Sequence, residues 1–129
     1  MSINNEWQMV KEFHEKFMHD VSDTPIMLTR EQTEKRYKWM LEEINEFKDA
    51  KDIVEQTDAI IDLIYFALGT LAMMGVKPAA PFEIVQNANM AKLWEDGKPR
   101  YNSDGKIIKP ANWVDPYPLL KQSVERGGV

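Results

Sequence analysis

Apolar residues recur every three or four positions through the first half of the chain, and the recurrence stops at turn-forming sequences. Trp7, Val10, Phe13, Phe17 and Met18 make one such stripe, which predicts a first helix from Asn4 to about Asp20. Ser22-Asp23-Thr24-Pro25 ends it, because proline and small polar residues favour turns. Tyr37, Met40, Leu41, Ile44 and Phe47 form the core stripe of a second helix, from about Arg30 to Ala50. Thr29 is its expected N-cap, and Gln32 completes a capping-box pattern. After a weak junction at Lys51-Asp52, a third helix is predicted from Ile53 to Met74. From Ala59 onward it is apolar on nearly every face and is expected to be the central, most buried element. Gly75 suits a C-terminal cap, and Pro78 and Pro81 prevent continuation. A fourth helix is expected from Pro81 to Leu93.

Past Glu95 the pattern dissolves into turn sequences, Asp96-Gly97-Lys98-Pro99 and Asn102-Ser103-Asp104-Gly105-Lys106. Arg100-Tyr101 and Lys106-Ile107-Ile108 are expected to pair as a small hairpin. Pro110, Pro116 and Pro118 suggest an extended tail, anchored by Trp113, Tyr117 and Leu119, with Glu125 to Val129 disordered. The expected architecture is all-α: a four-helix bundle-like unit with an extended C-terminal tail and a small hairpin. It forms one domain over residues 1–129, with a helical core at about 4–95 and the tail at about 96–129.

Composition narrows the function classes. A net charge of -5 argues against non-specific binding to nucleic acid or an anionic membrane. It leaves phosphate ligands open, because a carboxylate-bound divalent metal reverses the local sign. The absence of cysteine excludes disulfides and thiolate zinc sites, and fits a reducing cytoplasm. The N-terminus has no basic start before an apolar run, and the most apolar window, Ala59 to Met74, contains Asp62 and is short for a membrane span. A soluble cytoplasmic protein is expected.

Between Arg36 and Asp62 lie six acids. Glu42, Glu43 and Glu46 share one arc of roughly 100° on the second helix. Glu55, Asp58 and Asp62, at i, i+3 and i+7, form a single stripe on the third. Glutamates on an amphipathic helix are usually only its wet face. Asp62 is harder to dismiss, because Ile60, Ile61, Leu63, Ile64, Tyr65 and Phe66 surround it and a buried carboxylate must be paired, protonated or metal-bound. If the two acidic faces meet, hard divalent cations are the natural compensation, and Mg²⁺ is the usual choice where substrate phosphates complete the octahedron. That implies metal-assisted phosphoryl chemistry without a P-loop, whose G-x-x-x-x-G-K-[ST] sequence is absent. His14 and His19 read as surface or packing residues.

R-Y-K-W-M-L-E-E-I-N-E-F (Arg36 to Phe47) followed by D-A-I-I-D-L-I-Y-F-A-L-G-T (Asp58 to Thr70) resembles the all-α nucleoside triphosphate pyrophosphohydrolase superfamily, which includes the MazG-type enzymes. N-A-N-M-A-K-L-W-E-D-G-K-P (Asn87 to Pro99) and D-G-K-I-I-K-P (Asp104 to Pro110) resemble its phosphoribosyl-ATP pyrophosphohydrolase-like subgroup. The resemblance implies Mg²⁺ (or Mn²⁺) held by Glu43, Glu46, Asp58 and Asp62, with Glu42 and Glu43 acting on the attacking water. The superfamily's second motif is usually E-x-x-D; here Asp58 and Asp62 fit the distance better than Glu55, which becomes an outer group. Asn89, Lys92 and Lys109 are expected to contact phosphate, Trp39 to stack on a base, and Arg36 to pair with one of the acids. The implied reaction releases a nucleoside monophosphate and pyrophosphate. Phosphoribosyl-ATP hydrolysis and a non-catalytic helical interaction module are the alternatives. A third helix too apolar for its own chain to cover implies a homodimer or homotetramer.

Overall fold

The computed structural model describes residues 2–129. Five helices carry the fold: α1 (Asn4–Lys16), α2 (Arg30–Asp49), α3 (Ile53–Met74), α4 (Ala79–Met90) and α5 (Tyr117–Glu125). Among the described residues the only β pairing is a single antiparallel bridge, Tyr101 to Ile107, so the architecture is all-α as expected. The chain divides into two compact units, Met1–Pro78 and Ala79–Val129.

In the first unit, α1 and α2 both pack against α3. Helix α1 stops short of the expected Asp20 because Met18 adopts a left-handed conformation, φ 58°, which a helix cannot propagate through. The Thr29 capping box forms in full: Gln32 N donates to Thr29 Oγ1 at 3.2 Å and Thr29 N donates to Gln32 Oε1 at 2.9 Å. At the other end of the hairpin, Asp52 caps α3 by accepting from Glu55 N at 2.8 Å, and Glu55 Oε2 accepts from Lys51 N at 2.8 Å. Asp52 therefore satisfies a first-turn donor that has no partner within the helix, and Glu55 ties down the residue just before the cap. Gly75 closes α3 at φ 70°, and a Cβ there would meet the Thr24 carbonyl oxygen at 2.2 Å. That close approach lets the α1–α2 connection bond the helix end, through Ser22 N to Ala72 O and Ile26 N to Met74 O.

The core of this unit is small: Trp7, Val10, Leu68 and Ala72, with Ile3 and Leu71 against them. Two expectations change here. Helix α3 is not uniformly the most buried element. Its C-terminal half supplies Leu68, Gly69, Ala72 and Met73 to the interior, while Ile53 (77%), Val54 (72%) and Ile61 (55%) remain exposed. Nor is the apolar stripe of α2 a core stripe within this chain, since Tyr37, Leu41, Ile44 and Phe47 are all exposed. The side of α2 turned to α3 instead carries Arg36, Trp39 and Glu43. With 22 residues α3 is long and apolar enough to cross a membrane by length and composition, yet it holds Glu55, Asp58 and Asp62 and is packed by two other helices.

In the second unit α4 packs on α5. The expected hairpin is present in minimal form, with Asn102 N donating to Lys106 O and Ile108 N to Arg100 O. Trp113 anchors the connection as expected, its Nε1 donating to Ala88 O at 2.8 Å, whereas Tyr117 and Leu119 are exposed and anchor nothing. The tail is not extended throughout: Pro118 falls in the first turn of α5, where a missing N–H costs nothing. Residues 126–128 fold back onto the end of α5, their N–H groups bonding Ser123 and Val124 carbonyls, so the expected disorder there is not observed.

Candidate active site

Helices α2 and α3 are joined by a short connection and run side by side, so residues three or four apart on each helix recur along one seam. On α2 these are Arg36, Trp39, Glu43 and Glu46; on α3 they are Thr70, Phe66, Asp62 and Asp58. The seam has two chemically distinct ends.

At one end four carboxylates meet. Glu43 is half-buried, and its Oε2 is fully shielded from water with no hydrogen-bond partner. Burial, a side-chain hydrogen bond with Glu46 and the charges of Glu46, Asp62 and Asp58 push its carboxyl up to about 7. Asp62 is raised as well, first by burial and then by the charges of Asp58 and Glu46. Among the described ion pairs none includes any of these four residues, so no lysine or arginine neutralises them. The structure thus brings Glu43, Glu46, Asp58 and Asp62 together, while Glu42 lies on the exposed side of α2. Glu55, tied to the Lys51 N–H, is a helix-start residue that borders a shallow cavity of about 370 Å³ together with Glu46 and Asp58.

Among the described residues, no three acidic or imidazole side chains are gathered tightly enough to form a ready metal cage. Mutual repulsion opposes closer approach in a chain without a counter-charge. The donor set nevertheless fits a hard divalent cation. It consists of carboxylate oxygens alone, carries excess negative charge, and includes one buried oxygen left without a partner.

The other end of the seam is built on Arg36. It is 5% exposed and does not pair with an acid as expected. Its Nε donates to Thr70 Oγ1 at 3.0 Å and its Nη2 to Phe66 O at 2.8 Å. The reason is axial: Arg36 lies about 10 Å along α2 from Glu43, opposite the next turns of α3. Its guanidinium lies 5.4 Å from the ring centroids of both Trp39 and Phe66, which are themselves 6.0 Å apart. His14, read from the sequence as a surface or packing residue, is only 2% exposed. Its Nδ1 lies 2.9 Å from Asp20 O; a carbonyl only accepts, so Nδ1 carries the proton and Nε2 is a lone-pair acceptor. Burial lowers its pKa, with Arg36 adding to the effect. Both side chains press on Gly69, where a Cβ would come within 2.6 Å of His14 Nε2 and 2.7 Å of Arg36 Nη2. A glycine inside an otherwise bulky apolar helix is the one sequence signal that marked this spot.

In the second unit, Lys92 Nζ donates to Asn89 Oδ1 at 3.0 Å, and Lys92 and Lys109 stand 5.9 and 4.2 Å from the ring of Trp113. The expected substrate-contacting trio is therefore one cationic group organised by a tryptophan.

Residues 10–89 match the phosphoribosyl-ATP pyrophosphohydrolase family, a span that includes both acidic helices. No curated protein matches the chain. Among solved structures, the chain is similar to a "putative NTP pyrophosphohydrolase" from Exiguobacterium sp. 255-15. The identity is 31%, the alignment covers 95% of each chain, and the TM-score is 0.54. An all-α fold, a family match over residues 10–89 and a solved relative 31% identical over 95% of each chain lead to one assignment: the chain belongs to the phosphoribosyl-ATP pyrophosphohydrolase family of the MazG-like nucleotide pyrophosphohydrolases, hydrolases of nucleotide phosphoanhydrides.

Proposed function

We propose that the protein is a Mg²⁺-dependent hydrolase, with Mn²⁺ able to substitute, that cleaves a nucleoside triphosphate between its α and β phosphates. The observation that carries this reading is the uncompensated group of Glu43, Glu46, Asp58 and Asp62, with Glu43 pushed up to about 7. These four residues would hold the metal, which when bound neutralises phosphate charge and polarises the bond to be broken.

The chain's own groups do the rest. A water oxygen attacks the α phosphorus while the bridging P–O bond to the β phosphate breaks. Glu43 or Glu42 orients that water and accepts its proton. Asn89, Lys92 and Lys109 offer donors and positive charge to phosphate oxygens, and Trp39 offers a ring face to the base. The exposed apolar residues of α2 and α3 support assembly into a homodimer or homotetramer.

The test is a panel of nucleoside triphosphates with Mg²⁺, scored for pyrophosphate release. Phosphoribosyl-ATP is included because the matched family bears its name. At least one substrate should release pyrophosphate. No release from any of them at high enzyme, with no rise in melting temperature on adding Mg²⁺, would favour a non-catalytic helical module.

A further inference from the structure

Of the 20 residues of α2 only one is buried in this chain, and it is the cation Arg36. Stability alone does not call for a charge there, because a well-packed apolar side chain of similar volume commonly replaces a buried ion without loss. What an apolar side chain cannot supply is directed bonding across the seam. Among the described residues, the side-chain hydrogen bonds that run from α2 to α3 are the two made by Arg36, Nε to Thr70 Oγ1 and Nη2 to Phe66 O. No described ion pair joins these two helices. Thr70 closes the contact into a triangle, since its Oγ1 also donates to Phe66 O at 2.7 Å. Each member has one assigned role, because a guanidinium only donates and a carbonyl only accepts. Gly69 admits the guanidinium to the surface of α3, and the rings of Trp39 and Phe66 flank it.

The carboxylates need such a tie. The charges of Glu46, Asp58 and Asp62 act unfavourably on Glu43, so electrostatics alone favours a wider seam. At one end the two helices are joined by the chain itself, through residues 50–52. At the other end the tie is Arg36, about 10 Å along α2 from Glu43, bonded to α3 one turn beyond Asp62. The four acids therefore lie between two fixed points. A slip of α2 by one residue moves it about 1.5 Å and turns it about 100°, which breaks both bonds of Arg36 at once.

We propose that Arg36 is a positioning residue: with Thr70 and Gly69 it fixes the register of α2 on α3, and so the spacing of Glu43 and Glu46 from Asp58 and Asp62, without touching metal or substrate. The proposal rests on the reading of these four carboxylates as the metal site.

The test titrates the intact chain with Mn²⁺ alone and follows the free ion by electron paramagnetic resonance, for wild type, Arg36→Met, Thr70→Val and Thr29→Ala. Arg36→Met and Thr70→Val should each bind Mn²⁺ about tenfold more weakly, the scale of loss when residues that orient metal ligands are removed. A mere charge effect has the opposite sign. Removing a cation near the acids would tighten Mn²⁺ binding, and Thr70→Val, which alters no charge, would change nothing. Thr29→Ala loses the cap of α2 but not the seam, so it should bind Mn²⁺ as wild type does and separates positioning from general destabilisation. Saturating Mn²⁺ should restore most of the pyrophosphate release lost in Thr70→Val, because the defect lies in metal affinity. Should Arg36→Met fail to fold, Thr70→Val carries the test. Unchanged or tighter Mn²⁺ binding in folded Arg36→Met or in Thr70→Val, equal weakening in Thr29→Ala, or a loss of turnover that persists at saturating metal would overturn the positioning role alone. A wild type that binds no Mn²⁺ would overturn the reading of the carboxylates along with it.

Discussion

Replacing Glu43 with glutamine should stabilise the metal-free protein at neutral pH and, under the proposed metal role of Glu43, remove most of the stabilisation expected on adding Mg²⁺. The carboxyl is displaced from 4.5 to about 7 by burial and by neighbouring negative charge. In an unfolded chain it ionises near its ordinary value, so between about pH 4.5 and 7 the folded state binds more protons than the unfolded one. Stability therefore falls as pH rises through that window. A displacement of this size has a ceiling of about 3 kcal/mol. Glu43 is only half-buried, so screening reduces the expected effect to about 1–2 kcal/mol, or several degrees in melting temperature. Thermal melts at pH 5 and pH 8, in chelator and in Mg²⁺, measure it. Wild type should melt lower at pH 8 in chelator and recover with Mg²⁺; Glu43→Gln should show a smaller pH dependence and a smaller Mg²⁺ response. A variant that melts below wild type in chelator at pH 8 would refute the argument, because it would mean that Glu43 is favourably paired.

Other outcomes follow from local geometry. Gly75→Ala should cost about 2 kcal/mol or more by calorimetry, since a Cβ at φ 70° would also collide with the Thr24 carbonyl. Thr29→Ala should cost about 1 kcal/mol by losing the cap to Gln32 N, with no effect on metal response. Ile61→Glu places a charge on the exposed apolar face of α3; sedimentation should show a smaller assembly than wild type at equal concentration.

How much of this was readable in advance depended on whether the signal was local. The boundaries of α2 and α3 were legible because Thr29, Gln32 and Gly75 act within a few residues of themselves. Helix α5 was not, because Pro116 and Pro118 read as breakers, whereas proline in a first turn is compatible with a helix that follows. The stripe from Tyr37 to Phe47 correctly announced a helix, but periodicity reports an apolar face without naming its neighbour, and in this chain none covers it. Two helical stripes of like charge offered six candidate acids, and the choice of Glu43, Glu46, Asp58 and Asp62 among them came from the family resemblance; these are the four whose charges act on one another in the structure. The Arg36 and His14 corner was not, because it depends on Gly69 leaving space from a third helix, a relation between distant residues that no stripe records.

The most direct test of the central claim is product analysis with wild type and Asp62→Asn side by side, in Mg²⁺, across the nucleotide panel. The account predicts a nucleoside monophosphate and pyrophosphate from wild type, and neither product from a folded Asp62→Asn protein. A nucleoside diphosphate with inorganic phosphate, or undiminished turnover by Asp62→Asn, would contradict it.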